Sequence, residues 1–101
     1  MSRAKIIASG TGCYAVGGEL DMASVPQLWR DSSKFFNTTE SALVFDLKAV
    51  TRSDSAGLAL LIEWVAMASK KNIGICFRNL PEQMWEIAKV SDLTEVIPLE
   101  K

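Results

Sequence analysis

The chain contains no histidine among its 101 residues. That removes the side chain most used for proton transfer near neutral pH, the base of the familiar nucleophile triads and the commonest ligand of catalytic zinc. Cysteine is scarce: Cys13 and Cys76 stand far apart, each inside an apolar run, with no CxxC spacing. They read as small buried hydrophobes in a reducing compartment, not as a disulfide or a metal pair. No apolar stretch approaches the ~20 residues of a membrane span. The run after Met1-Ser2-Arg3-Ala4-Lys5 is too short for a secretory signal. A cytoplasmic location without direct membrane insertion is therefore expected. Charge of one sign is lacking as well, with eleven basic residues against twelve acidic. A nucleic-acid partner calls for a basic face, and a polybasic clamp on lipid calls for a basic cluster. Repeats, linkers and low-complexity tracts are also missing. No metal and no cofactor is expected.

What is present is apolar material, 49% of the chain, enough for a core without staples. One domain over residues 1–101 is expected. Ala4 to Ser9 reads as a short strand, Ser9-Gly10-Thr11-Gly12 as a turn and Cys13 to Gly17 as the returning strand of a hairpin. Gly18-Glu19-Leu20-Asp21 then breaks the strand pattern, with two carboxylates flanking one leucine. A first helix follows, with Ser24 as N-cap and Pro26 in its first turn. Val25, Leu28, Trp29, Ser32 and Phe36 share one of its faces, and it ends near Asn37-Thr38-Thr39. Leu43 to Leu47 alternates little and is a candidate for the sheet centre, with Asp46 capping a nearby turn. Leu58 to Lys71 reads as a second helix, Ile73 to Phe77 as another buried strand, and the segment opened by Pro81-Glu82 as a third helix. Met84, Ile87, Ala88 and Ser91 make that helix's inner face, and Leu93, Val96 and Ile97 form a docked apolar tail.

The second helix carries more apolar surface than one buried face requires. Leu58, Leu61, Ile62, Val65 and Ser69 lie along one face, and Leu60, Trp64 and Met67 along another. Either neighbouring helices cover the second stripe, or it is a partner surface with Leu60 and Trp64 as anchors. The junction before this helix, Arg52-Ser53-Asp54-Ser55-Ala56-Gly57, places hydroxyls and carboxylates beside the free N–H groups of a first helical turn. One side chain is enough for a cap, so the surplus points to recognition. With no histidine, and no lysine close in sequence, nothing activates Ser55 as a nucleophile. Gly57 stands in neither GxxxxGK[ST] nor GxGxxG, so nucleotide binding has no motif behind it.

The β-β-α-β-α-β-α order, Gly18-Glu19-Leu20-Asp21 and Asp54-Ser55-Ala56-Gly57-Leu58 together resemble STAS domains, the fold of anti-sigma factor antagonists that is also found on sulfate transporters. The resemblance implies an α/β, SpoIIAA-like fold: a mixed sheet of about four strands with helices stacked mainly on one side. In antagonists with D-S-S-G-L, a kinase phosphorylates the serine just before the glycine; that position here is Ala56. The match is closer to the MlaB-type subgroup, whose D-T-G-G-L-A-L-L resembles Asp54 to Leu61, with Ser55 at the subgroup's threonine. This implies a non-catalytic accessory subunit on the MlaF-like ATPase of a phospholipid-transporting ABC system, held at the inner face of the inner membrane through that transporter. The residues expected to meet the partner are Ser55, Asp54, Ser53, Arg52, Ala56, Gly57, Leu60, Trp64, Glu19 and Asp21. The alternative is an antagonist of an anti-sigma kinase, with Ser55 as the phosphorylated residue.

Overall fold

A computed structural model describes residues 4–100. Four strands, β1 (Lys5–Gly10), β2 (Cys13–Leu20), β3 (Ala42–Ser53) and β4 (Gly74–Arg78), form one sheet in the order β1-β2-β3-β4. The β1–β2 hairpin is antiparallel, and the β2–β3 and β3–β4 pairs are parallel. Each parallel neighbour is reached through a helix, as a parallel crossover demands. These helices are α1 (Val25–Ser32), continued by a 3₁₀ turn over Ser33–Phe36, and α2 (Ser55–Lys70). A third helix, α3 (Glu82–Val90), follows β4, and the short 3₁₀ turn Thr94–Val96 comes after it. The mixed four-stranded sheet and the element order expected from the sequence are both present.

The helices share one core with one face of the sheet. Leu43, Phe45 and Leu47 alternate inward with Val16, Leu20 and Phe77, against Leu28 and Phe36 from the α1 side, Leu58, Leu61 and Trp64 from α2, and Met84 and Ala88 from α3. Phe45 is central: its ring lies 4.5 Å from that of Trp64, 5.6 Å from Tyr14, 6.0 Å from Phe36 and 6.1 Å from Phe77. Edge-on aromatic packing of this kind stabilises beyond the area it buries. The other face of the sheet carries Cys13, Val44 and Cys76 in one register row and Ala15, Asp46 and Arg78 in the next. Both thiols are free and half-buried, and burial pushes the Cys76 thiol up from its ordinary value.

Several boundaries differ from the sequence reading, each for a tertiary reason. β2 runs on through Gly18, Glu19 and Leu20 because these residues pair with Val50, Arg52 and Ser53 of β3. β3 itself is twelve residues long. It was legible only to Leu47 because two register shifts, opposite Ala15–Gly17 and Gly18–Glu19, give β3 an extra residue each and hide its alternation. Where the alternation is legible, Leu43, Phe45 and Leu47 point inward and Val44 and Asp46 outward, so the strand is interior to the sheet but not covered on both faces. Ser69 and Ser91, expected on inner helix faces, are exposed.

The C-terminal segment docks through Ile97, which is buried, and Leu93, which packs against the core, whereas Val96, expected to dock with them, is exposed. The segment also adds a short parallel bridge to the outer edge of β4. Phe77 N–H donates to Pro98 O and Glu100 N–H donates to Phe77 O, both at 2.9 Å. Arg78 locks the bridge with a two-pronged contact to Glu100, at 2.7 and 2.8 Å. This cover blunts one sheet edge.

Candidate functional site

The junction between β3 and α2 is built by short-range chemistry. Asp54 is the N-cap of α2: it is extended, and its carboxylate accepts from Ala56 N–H at 2.8 Å. Its carbonyl accepts from Gly57 N–H, and its own N–H donates to Leu20 O at 3.2 Å, which ties the junction to the end of β2. Ser53 is buried; its hydroxyl donates to Asp54 O at 3.1 Å and its N–H donates to Gln83 Oε1 at 3.1 Å. Gly57 is required by close approach. A Cβ there would run into Ser53 Oγ, come within 2.9 Å of Leu20 Cβ and within 3.1 Å of Met84 Cε. Ser55 opens the helix and is exposed, and Ala56 is half-buried beside it.

Gly18-Glu19-Leu20-Asp21 lies against this junction, and its residues have separate tasks. Gly18 takes φ +90°, which glycine adopts without strain. Leu20 is fully buried under Gly57. Glu19 is set beside Arg52, its register partner. The Asp21 carboxylate accepts from Ala23 N–H and Ser24 N–H, both at 3.0 Å, closing the turn into α1. Ser24 holds the N-cap position expected of it, but its hydroxyl donates to Glu19 O at 2.7 Å instead of capping the helix.

Together Glu19, Leu20, Asp21, Arg52, Ser53, Asp54 and Gln83 line a polar cavity of about 220 Å³. The fold thus brings Glu19, Asp21, Arg52, Ser53 and Asp54 to one place, with exposed Ser55 next to Asp54 in the chain. Three carboxylates and one guanidinium meet there, yet among the described residues none of them forms an ion pair. Nor, among the described residues, does any group of three carboxylate or thiol side chains converge closely enough to hold a metal ion.

Leu60 and Trp64 are corrections. Leu60 is 1% exposed and Trp64 0%, so neither is available as an anchor for a partner. Trp64 meets Phe45 edge-on and stacks on Phe77, and its indole N–H donates to the buried Ser32 hydroxyl of α1 at 2.8 Å. α1 and α3 flank α2 over the sheet, and that sandwich absorbs the second apolar stripe. Gly57 and Ser53 are likewise buried and act by shaping the junction.

The structure adds Gln83, which no sequence signal singled out, because its partner Ser53 is thirty residues away. It also adds a shallow groove of about 250 Å³ beside the junction, between α1 and α2, lined by Val25, Pro26, Trp29, Ala59, Leu60 and Glu63.

A second polar cluster, around Arg78, is closed on itself. Glu100 holds the Arg78 guanidinium above its ordinary value, and Arg78 holds the Glu100 carboxyl below its own. Burial pushes the Asp46 carboxyl up, but hydrogen bonds from the Asn79 amide and Lys48 N–H, with the Arg78 and Lys48 charges, leave it lowered overall.

Comparison with known proteins shows the family and the fold. The family described as "Mlab, STAS domain" matches residues 9–99. The chain is 28% identical over 85 residues to the intermembrane phospholipid transport system binding protein MlaB of Escherichia coli (strain K12), covering 83% of this chain and 84% of that protein. The Shigella flexneri protein of the same name matches equally. Among solved structures, the unphosphorylated anti-sigma factor antagonist SpoIIAA superposes with a TM-score of 0.72 at 14% identity, over 97% of this chain and 88% of that one. An anti-sigma factor antagonist from Mycobacterium paratuberculosis gives 0.71 at 24% identity, over 98% and 85%. At these identities the two structures speak for the fold alone, which is the SpoIIAA-like one expected.

Proposed function

The chain belongs to the MlaB-type STAS domain family, and from that premise we propose that it is a non-catalytic adaptor which docks its β3–α2 junction on the ATPase subunit of a phospholipid-transporting ABC system. The observation that carries this reading is the junction itself. An exposed residue, Ser55, opens a helix directly after Asp54, which lines a cavity whose charged side chains have no ion-pair partner among the described residues. Charges of this kind form directional contacts with a complementary surface, and small polar residues allow its close approach. The relatives that carry the MlaB name belong by that name to a phospholipid transport system. Among the described residues no helix is long and apolar enough to cross a membrane. In this reading the chain sits in the cytoplasm and reaches the inner membrane only through the transporter.

The test is binding of the purified chain to the purified ATPase subunit of its host's phospholipid transporter. Ser55→Ala should weaken binding about ten- to a hundredfold, because an unpaired group at a buried contact costs ~1–3 kcal/mol. Ser55→Asp should weaken it further. Wild-type affinity in both variants, or no complex with the wild-type chain, would overturn the reading.

Exposure of Ser55 favours one competitor, control of an anti-sigma kinase by phosphorylation at this hydroxyl. Ala56 occupies the position at which D-S-S-G-L antagonists carry the phosphoacceptor. A phosphopeptide containing Ser55 after incubation with such a kinase and ATP would favour the competitor.

A further inference from the structure

The groove between α1 and α2 opens beside the junction and has no role in the reading above. Its walls are Val25, Pro26 and Trp29 from α1 and Ala59 and Glu63 from α2, with Leu60 at its floor. Its α2 side is an exposed row one helical turn apart, Ser55, Ala59 and Glu63, so it begins at the junction's own hydroxyl. Its α1 side begins at the turn that Asp21 closes, since Val25 N–H donates to Asp21 O at 2.9 Å. Met22, 81% exposed, stands in that same turn. The groove is therefore mostly apolar and acidic at its side through Glu63, and its two walls start from the Asp21 turn and the Asp54–Ser55 junction, where Glu19, Asp21 and Asp54 line the separate polar cavity. Arg52 is the one cation in these linings.

We infer that this groove seats an amphipathic helix of the ATPase, with one aliphatic or aromatic side chain laid over Ala59 between Trp29 and Glu63, and a lysine or arginine about one turn away at the Glu19–Asp21–Asp54 cavity. Charge complementarity selects this occupant. A second copy of the chain would bring the same carboxylates against themselves, whereas a basic amphipathic helix matches both the apolar floor and the acidic end. The small side chains of Ser55 and Ala59 let a helix backbone approach closely, and Trp29 supplies the kind of half-exposed aromatic that dominates interface energies. The inference rests on the ATPase reading and specifies which surface beyond Ser55 takes part.

The experiment is isothermal titration of the purified ATPase subunit into the full chain, with three variants. Ala59→Arg fills the groove from an exposed helical position and should weaken binding at least ~tenfold, the usual loss at an interface hot spot. Glu63→Lys should weaken it at low salt and much less at high salt, as a rim charge does. In a Trp85→Phe background, the emission that is lost on further Trp29→Phe substitution, which leaves out the signal of buried Trp64 and of the ATPase, should shift to the blue as the complex forms. Circular dichroism checks that each variant is folded; if Ala59→Arg is not, Ala59→Gln and Glu63→Lys carry the test. Loss of binding in Ser55→Asp together with wild-type affinity in Ala59→Arg and Glu63→Lys would overturn the groove while leaving the ATPase reading intact. Failure of the wild-type chain to bind would remove both. Wild-type ATPase binding in Ala59→Arg together with loss of a concentration-dependent dimer on sedimentation would make a second copy the occupant and also overturn the inference.

Discussion

Ala59 and Leu60 are neighbours in sequence and opposite in circumstance. Ala59 is exposed in a row with Ser55 and Glu63, while Leu60 is closed off together with Trp64 between α2 and α1. A helix flanked by two others on a sheet has three directions in which to bury side chains, and α2 uses them all. Its greasiest residues are therefore the least available to a partner. What it presents outward is small or polar. A hydrophobic surplus in a central helix is better read as a sign of its position in the layer than as an interface.

The two polar clusters differ in the same way. Around Arg78 every charge has been matched inside the chain: Glu100 pairs with Arg78, and the Asp46 carboxylate accepts from Asn79 and Lys48. Around Glu19, Asp21 and Asp54 the two aspartates also accept from backbone N–H groups, but Arg52, unlike Arg78, has no carboxylate partner among the described residues. A cluster closed on itself holds the fold together, whereas an open one leaves its interactions for another molecule.

If the inner face of α2 is purely structural, Trp64→Ala should give the largest effect. It empties a fully buried aromatic site and should lower unfolding free energy by about 3–5 kcal/mol, measured by denaturant unfolding. A loss under ~1 kcal/mol would return Trp64 to the surface. Next comes Gly57→Val, which forces side-chain atoms against Ser53, Leu20 and Met84. Overpacking of this kind should cost about 1–3 kcal/mol, and wild-type stability would show that the junction is not tightly packed. The smallest effect belongs to the closed charge cluster. Glu100 has a lowered carboxyl in the folded chain, so its stabilising contribution is present above the unfolded value and is lost as pH falls through the folded one. Glu100→Gln should therefore be slightly less stable than wild type near neutral pH and converge with it in acid, as followed by thermal melts. This pair is exposed and screened by solvent, so the difference should shrink further in high salt.

Much of this architecture was legible before any coordinates. A cap at the junction before the second helix, the β1–β2 hairpin and the alternation of strand and helix after Leu43 all arise from contacts close in sequence, although α2 begins at Ser55, three residues before the Leu58 start read from the sequence. Short-range patterns report such contacts directly. The length of β3 was not legible, because its residues beyond Leu47 owe their strand geometry to pairing with Gly17 to Leu20, across two bulges that scramble the alternation. Within the site, Asp54 and Ser55 could be named from the junction alone. Gln83 could not, because a glutamine near a helix start gives no sign of the backbone N–H it will meet from another strand.

By itself the amino-acid order determined the kinds of elements, their succession, and the placing of Ser55 at the head of α2. Tertiary structure alone decided which of α2's apolar stripes would be covered. Periodicity says that Leu60 and Trp64 share a face, but what lies over that face depends on where α1 packs, and on a buried Ser32 hydroxyl waiting for the Trp64 N–H. Burial is a property of the whole assembly of elements, so it cannot be read from any one of them.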